Sequence, residues 1–214
     1  MCKKTQIIII VLLLPIFLFS QKSRVPFLNI DTPWADSVYK TLNSEERIAQ
    51  LLHVAAYSNR DSNHVKEIAG LIQKYKIGGL IFFQGGPVRQ ANQTNYYQSI
   101  SKVPIMISID GEWGLKMRLD STIKFPFQMA LGAIENDSLI YKMGREIAKE
   151  LKRMGIQVNF APVADVNNNP NNPVINYRSF GENKYKVTNK SLMYMKGMQD
   201  EFILANAKHF PGHG

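Results

Sequence analysis

Cysteine occurs once in the whole chain, at Cys2, ahead of an N-terminal apolar run. A disulfide framework is thereby excluded, and the body of the chain has no thiol for nucleophilic or redox chemistry. Acidic residues are also few, 17 against 26 lysines and arginines, for a formal charge of +9. The basic excess is nevertheless dispersed. Lys3-Lys4, Arg89, Lys142 and Lys152-Arg153 stand singly or in pairs, with no dense run and no stripe interleaved with aromatics. It reads as a solvated surface, and no nucleic-acid partner is expected. Three motifs are missing as well. Without Gly-x-x-x-x-Gly-Lys-Ser/Thr, Gly-x-Gly-x-x-Gly or Gly-x-Ser-x-Gly, nucleotide-dependent and serine-hydrolase chemistry have no anchor, and no cofactor is implied. There is no internal repeat, and the Asn/Pro-rich stretch at 167–173 reads as a turn-rich loop.

A long spanning segment is absent too. The apolar run from Ile7 to Phe19 follows Lys3 and Lys4 and ends at Ser20, with Pro15 inside it. It falls short of the about 20 apolar residues that cross a bilayer, and proline disturbs a continuous helix. Residues 1–20 are therefore read as a secretory signal, which predicts a secreted or periplasmic protein with no stable membrane anchor after cleavage. Residues 21–42 read as an extended lead-in, with Pro26, Pro33 and Trp34.

What is present from residue 43 onward is an alternation of helical and strand-like segments. Asn43 precedes Ser44-Glu45-Glu46, a capping-box pattern, with Ile48, Leu51 and Leu52 as the helix's apolar face. Leu52 to Tyr57 reads as a strand, and His64 to Tyr75 as a helix ended by Gly78-Gly79. Leu80 to Phe83 and Ile105 to Ile109 are short, fully apolar runs of the kind found in buried parallel strands. Helices are predicted over 88–101, 138–154 and 185–200, with strands at 158–161 and 202–207 and a long polar loop over 165–183. His53 and His64, in or beside helices, read as structural or solvent-facing.

Such alternation defines an α/β protein with a parallel sheet. A doubly wound sheet fits the strand count. An incomplete (β/α)8 barrel, with about five of eight strands, fits better, because Gln84, Asp110, Asp165 and Lys208-His209 all follow strands, where barrels build their reactive face. A whole barrel takes about 250 residues, more than this chain offers.

Four segments carry candidate chemistry. Asp110, at a strand end before Gly111-Glu112-Trp113-Gly114, suits a carboxylate that accepts two hydroxyls, or a turn cap. Arg118, on the same loop, suits an internal ion pair or a ligand contact through its planar fork. Arg178 stands between Tyr177 and Phe180, and a surface arginine packed on an aromatic is the alternative to a ligand contact. Lys208 and His209 open the segment Lys208-His209-Phe210-Pro211-Gly212-His213-Gly214. His209 and His213 have the spacing of a helical metal pair. Pro211 and Gly212 oppose a helix, however, and no acid in the segment completes a ligand set, so no metal is expected.

Four motifs, in the order in which they occur, resemble glycoside hydrolase family 3. They are Ile107-Ser108-Ile109-Asp110-Gly111-Glu112-Trp113-Gly114, the stretch Asn159 to Asn167 containing Ala161-Pro162-Val163-Ala164-Asp165, Arg178-Ser179-Phe180-Gly181, and Lys208 to Gly214. The last is similar to the β-N-acetylhexosaminidase branch, and the likeness covers 43–214. It implies a (β/α)8 barrel and retaining hydrolysis of terminal non-reducing β-linked N-acetylglucosamine in peptidoglycan- or chitin-derived oligosaccharides. It also implies that Asp110, Arg118, Arg178, Lys208 and His209 bind the sugar. The sequence departs from the family after Asp110, where many relatives have Gln-Glu-Gly-Gly-Arg. In this branch the acid/base histidine lies in an Asp-x-His motif after Pro-Gly-His-Gly, and the nucleophilic aspartate lies on a later strand. No residue of this chain is therefore expected to be catalytic, and the 214 residues are expected to be an inactive part of a longer enzyme. A non-catalytic sugar-binding module and a broader exo-β-glucosidase are the alternatives.

Overall fold

The computed structural model describes residues 30–213. The expected signal segment lies outside them. Two compact units divide the chain at Thr41/Leu42. In the first, the described residues form one helix, α1 (Pro33–Thr41), with no buried side chain. The extended lead-in is thus corrected over these nine residues. Pro33 is the reason, since its fixed φ and missing N–H are tolerated in a helix's first turn.

The second unit runs α2 (Ser44–Ala49), β1 (His53–Ala56), α3 (Ser62–Tyr75), β2 (Gly79–Phe82), α4 (Pro87–Ile100), β3 (Met106–Ile109), α5 (Gln128–Gly132), α6 (Ser138–Arg153), β4 (Val158–Asn159), α7 (Lys184–Gln199) and β5 (Leu204–Ala205). The strands form one parallel sheet in the order β1-β2-β3-β4-β5. Every neighbour in space is a neighbour in sequence. A doubly wound sheet reverses its strand order at a switch point and this one does not, so the architecture is the arc of a barrel. The arc is open, since β1 and β5 do not pair.

Parallel register puts Ala56, Phe82, Ile109 and Asn159 on one face of the sheet. All four are buried. The other face carries His53, Ile81, Met106 and Leu204, and there Met106 and Leu204 remain 40% and 55% exposed. The two faces alternate along each strand because successive Cβ atoms point to opposite sides. Helices cover the first face: Ile68 and Ile72 of α3, Ile140, Ile147 and Leu151 of α6, and Tyr194 and Met198 of α7 join its core. α6 and α7 pack so closely that a Cβ at Gly197 would stand 2.3 Å from the carbonyl oxygen of Tyr141. Among the described residues, no helix is long and apolar enough to cross a membrane.

The capping box at Asn43 forms in full. Asn43 Oδ1 accepts the Glu46 N–H at 2.9 Å, and Glu46 Oε2 accepts that of Asn43 at 3.0 Å. The apolar face predicted for this helix is corrected. Ile48, Leu51 and Leu52 are 64%, 83% and 52% exposed, and Ala49 is the residue the helix buries. α3 ends at Lys76, which takes the left-handed conformation at φ 54°, two residues before the predicted glycines. β5 is shorter than predicted because Phe202 turns the chain at φ 64° and projects into solvent. α5 has no counterpart in the sequence reading, since five residues are too few to display a helical period. Tertiary contacts make it. Gln128 is buried and exchanges two hydrogen bonds with the Val163 backbone, at 2.8 and 3.1 Å. His64 is structural as expected, and its ring nitrogen accepts the Tyr57 N–H at 3.2 Å.

One charged group on α6 is poorly served. Glu150 has a buried carboxylate oxygen with no hydrogen-bond partner among the described residues. Burial, and secondly Glu146 one turn away, raise its pKa above the ordinary value of 4.5. A carboxyl raised in the folded state is neutral in both states at low pH and costs stability once pH rises past the unfolded value. Glu150→Gln is therefore expected to stabilise the fold by about 0.5 kcal/mol at pH 7, in line with relief of a like-charge pair at helical spacing, and to change nothing at pH 3. Urea denaturation at the two pH values measures the difference, and an equal effect at both would refute the assignment.

Candidate functional site

The C-terminal ends of β3, β4 and β5 feed the loops that carry the candidate residues. Asp110 follows β3 directly. The next residue, Gly111, is held by Asn159 on β4: Asn159 Oδ1 accepts its N–H at 3.0 Å, and Asn159 Nδ2 donates to its carbonyl at 3.2 Å. This pair of hydrogen bonds between a buried side chain and a loop backbone fixes how the segment leaves the strand. A tight turn follows, closed by the Gly114 N–H on the Gly111 carbonyl at 3.1 Å, with Gly114 at φ 81°. A short 3-10 turn, Leu115–Met117, then brings Arg118 back over Asp110.

Charges alternate across the rim. Arg118 Nη2 donates to Asp110 Oδ2 at 2.6 Å, and its Nε donates to the Asp110 carbonyl at 2.9 Å. Lys208 Nζ reaches Asp110 Oδ1 at 2.5 Å and Glu112 Oε1 at 2.8 Å. Arg178 grips Glu112 with both arms of its fork, Nε to Oε2 at 2.9 Å and Nη2 to Oε1 at 2.7 Å. The order Arg118, Asp110, Lys208, Glu112, Arg178 is thus one chain of contacts, and it links residues up to 98 positions apart. Glu112 is completely buried. Its carboxylate pushes the Arg178 guanidinium pKa further up, against the opposing effect of burial. Tyr194, on α7, donates its hydroxyl to the Glu112 carbonyl at 3.1 Å. Burial raises the pKa of that phenol far above its usual value.

His209 belongs to a second, adjoining cluster. Its Nδ1 lies 2.6 Å from Asp165 Oδ2, which also accepts the His209 N–H at 3.1 Å. The other oxygen of Asp165 accepts the His213 N–H at 2.6 Å. One carboxylate after β4 therefore clamps the turn 209–213 by three contacts, and His213 contributes to the shape of the loop through its backbone. Asp165 is itself buried, and its carbonyl accepts the Ser179 hydroxyl at 2.6 Å, which ties the loop carrying Arg178 to the same point. A cavity of about 360 Å³ lies against Asp165, Asn168, His209 and Gly212. No group of three metal-ligating side chains is formed among the described residues.

Four of the five residues singled out from the sequence, Asp110, Arg118, Arg178 and Lys208, share one network, and His209 is the covalent neighbour of Lys208. Arg118 forms the internal ion pair that was one of its alternatives, and Arg178 pairs with Glu112, a partner that neither of its alternatives named. Two members were missed. Glu112 sits inside the quoted Asp-Gly-Glu motif but received no role, and Asp165 was noted only for its place after a strand. An acid two residues beyond Asp110 was the available signal for Glu112. Nothing local marks it as the partner of Arg178, 66 residues away.

A sequential parallel α/β arc with a charged rim at its strand C-terminal ends is an α/β-barrel domain of the kind that carries its functional residues on that rim. Residues 43–214 match the Glycosyl hydrolase family 3 N terminal domain, and the chain belongs to this family. It is 41% identical over 161 residues to "Beta-hexosaminidase A" of Pseudoalteromonas piscicida, covering 69% of this chain and 27% of that protein. Among solved structures it resembles a glycoside hydrolase family 3 beta-N-acetylglucosaminidase from Paenibacillus sp. str. FPU-7, with TM-score 0.73 and 35% identity over 81% of this chain and 34% of the other. A beta-glucoside phosphorylase, BglX, superposes with TM-score 0.78 at 21% identity over 86% of this chain and 33% of that one, a likeness of fold alone. The chain thus spans about a third or less of the length of these relatives.

Proposed function

We propose that this chain forms the sugar-binding rim of a retaining exo-glycosidase that removes terminal non-reducing β-linked N-acetylglucosamine from peptidoglycan- or chitin-derived oligosaccharides. The observation that carries the reading is the Asp110 carboxylate, pinned on one oxygen by Arg118 and on the other by Lys208. A carboxylate offers about four acceptor positions. Two are taken by the cations, so two remain for adjacent ring hydroxyls, held in a fixed plane before the ligand arrives. Arg178, Lys208 and His209 complete the floor. The preference for an acetamido sugar rests on the Pro211-Gly212-His213-Gly214 segment and on the relatives named above. The apolar run at 7–19 supports a secreted or periplasmic location for the protein.

Retaining hydrolysis requires one group to exchange a proton with the leaving oxygen and another to attack the anomeric carbon. The three rim carboxylates are all engaged: Asp110 and Glu112 with cations, Asp165 with a histidine ring and two N–H groups. In this reading the open positions of Asp110 go to ring hydroxyls, and Glu112 and Asp165 are buried, so we place the two reacting groups outside this set. The chain is accordingly expected to bind N-acetylglucosamine saturably, and glucose more weakly, in an NMR titration. It is expected to release no nitrophenol from nitrophenyl β-N-acetylglucosaminide. An absence of saturable binding, or tighter binding of glucose, would overturn the reading.

A further inference from the structure

Beside the charged network lies an aromatic cluster that the network does not use. Trp113 packs edge-on against Phe127, with ring centroids 4.8 Å apart, and Phe127 lies 4.7 Å from Tyr177. Trp113 and Tyr177 are themselves 6.4 Å apart. The three rings come from separate stretches of chain, yet none joins the sealed core. Trp113 and Phe127 are half-buried and Tyr177 is 47% exposed. Large aromatics normally bury most of their area, and these keep part of it in water.

Their position relative to the ion pairs is fixed twice by covalent bonds. Trp113 directly follows Glu112, and Tyr177 directly precedes Arg178, so the Glu112–Arg178 pair sits at the root of both rings. Consecutive Cα atoms are about 3.8 Å apart, so the cluster begins within one residue of the rim along each of two loops. Lys124 lies 4.7 Å over the Phe127 ring and adds a cation at the outer edge.

From this juxtaposition we infer that Trp113 and Tyr177 form a platform for a second sugar ring, the one on the leaving-group side of the bond, and thereby select β-linked oligosaccharides over single sugars. The inference rests on the proposed sugar-binding rim and deepens it. A pyranose ring has an apolar C–H face and polar edges, which suits an indole or phenol surface beside charged groups. A rigid aromatic anchor also costs little conformational entropy to order, and Phe127 already holds the indole in place.

The test compares N-acetylglucosamine with its β-1,4-linked disaccharide, titrated into the chain and followed by NMR. The chain has two tryptophans, so two indole N–H signals are expected, and the one lost in Trp113→Phe identifies Trp113. The disaccharide is expected to bind about tenfold more tightly than the monosaccharide and to move the Trp113 indole signal, which the monosaccharide leaves in place. Trp113→Ala and, independently, Tyr177→Ala should lower disaccharide affinity toward that of the single sugar, with Trp113→Phe intermediate. Equal affinity of the unaltered chain for both sugars would overturn the platform while leaving the rim intact. Parallel loss of both affinities in the two alanine variants would do the same, because it would reduce the cluster to a loop brace. Binding of neither sugar by the unaltered chain would remove the rim reading and the platform together.

Discussion

Glu112→Ala is expected to cost the fold about 3–5 kcal/mol, the size associated with breaking a buried ion pair from one side. Glu112 is fully buried and answers two cations, Arg178 and Lys208, whose side chains are 19% and 12% exposed. Without the carboxylate, both remain largely out of water with one anion, Asp110, left to share among Arg118, Lys208 and, more distantly, Arg178. Repulsion among the cations adds to their lost solvation. Urea unfolding of the variant measures the effect, and a loss below about 1 kcal/mol would show that water replaces the carboxylate at little cost. Adding Arg178→Met to Glu112→Ala is expected to recover part of the loss, since it removes a stranded charge together with its partner's. Such non-additivity is the signature of directly coupled residues. This prediction concerns stability and stands whether or not the rim binds a sugar.

The second large effect concerns the ligand. Asp110→Asn keeps the size of the side chain but exchanges a carboxylate oxygen for an amide that donates. Hydrogen bonds to a charged acceptor are worth about 1.5–3 kcal/mol each, so loss of one such bond should weaken N-acetylglucosamine binding by about 10- to 150-fold. Arg118 also loses the anion that fixes it and Lys208 loses one of its two, so the floor of the pocket loosens as well. The titration is to be read beside a melting curve. Affinity lost from a folded chain assigns Asp110 to the pocket, and unchanged affinity would remove it.

These effects show where sequence reasoning reached and where it stopped. Asp110, Arg118, Arg178 and Lys208 stood out because charged residues next to glycines and aromatics, just after apolar strands, have no business in a core. Glu112 passed unnoticed because an acid between a glycine and a tryptophan looks like solvated loop. Its complete burial follows from Tyr194 above its backbone and Arg178 across from its side chain, both supplied by distant segments. α5 escaped for a related reason, as Gln128 is polar by composition and interior by virtue of Val163.

The alternation of helix and strand and the parallel sheet were determined by the sequence itself. Apolar periodicity and turn residues act over a few neighbours and are written wherever those neighbours stand. Which charge answers which, which carboxylate is sealed from water, and which aromatics meet beside the rim were decided by the tertiary structure alone. Coulombic and hydrogen-bond partners are chosen by distance in space, and here the closing of β3, β4 and β5 side by side sets that distance for residues as many as 98 positions apart.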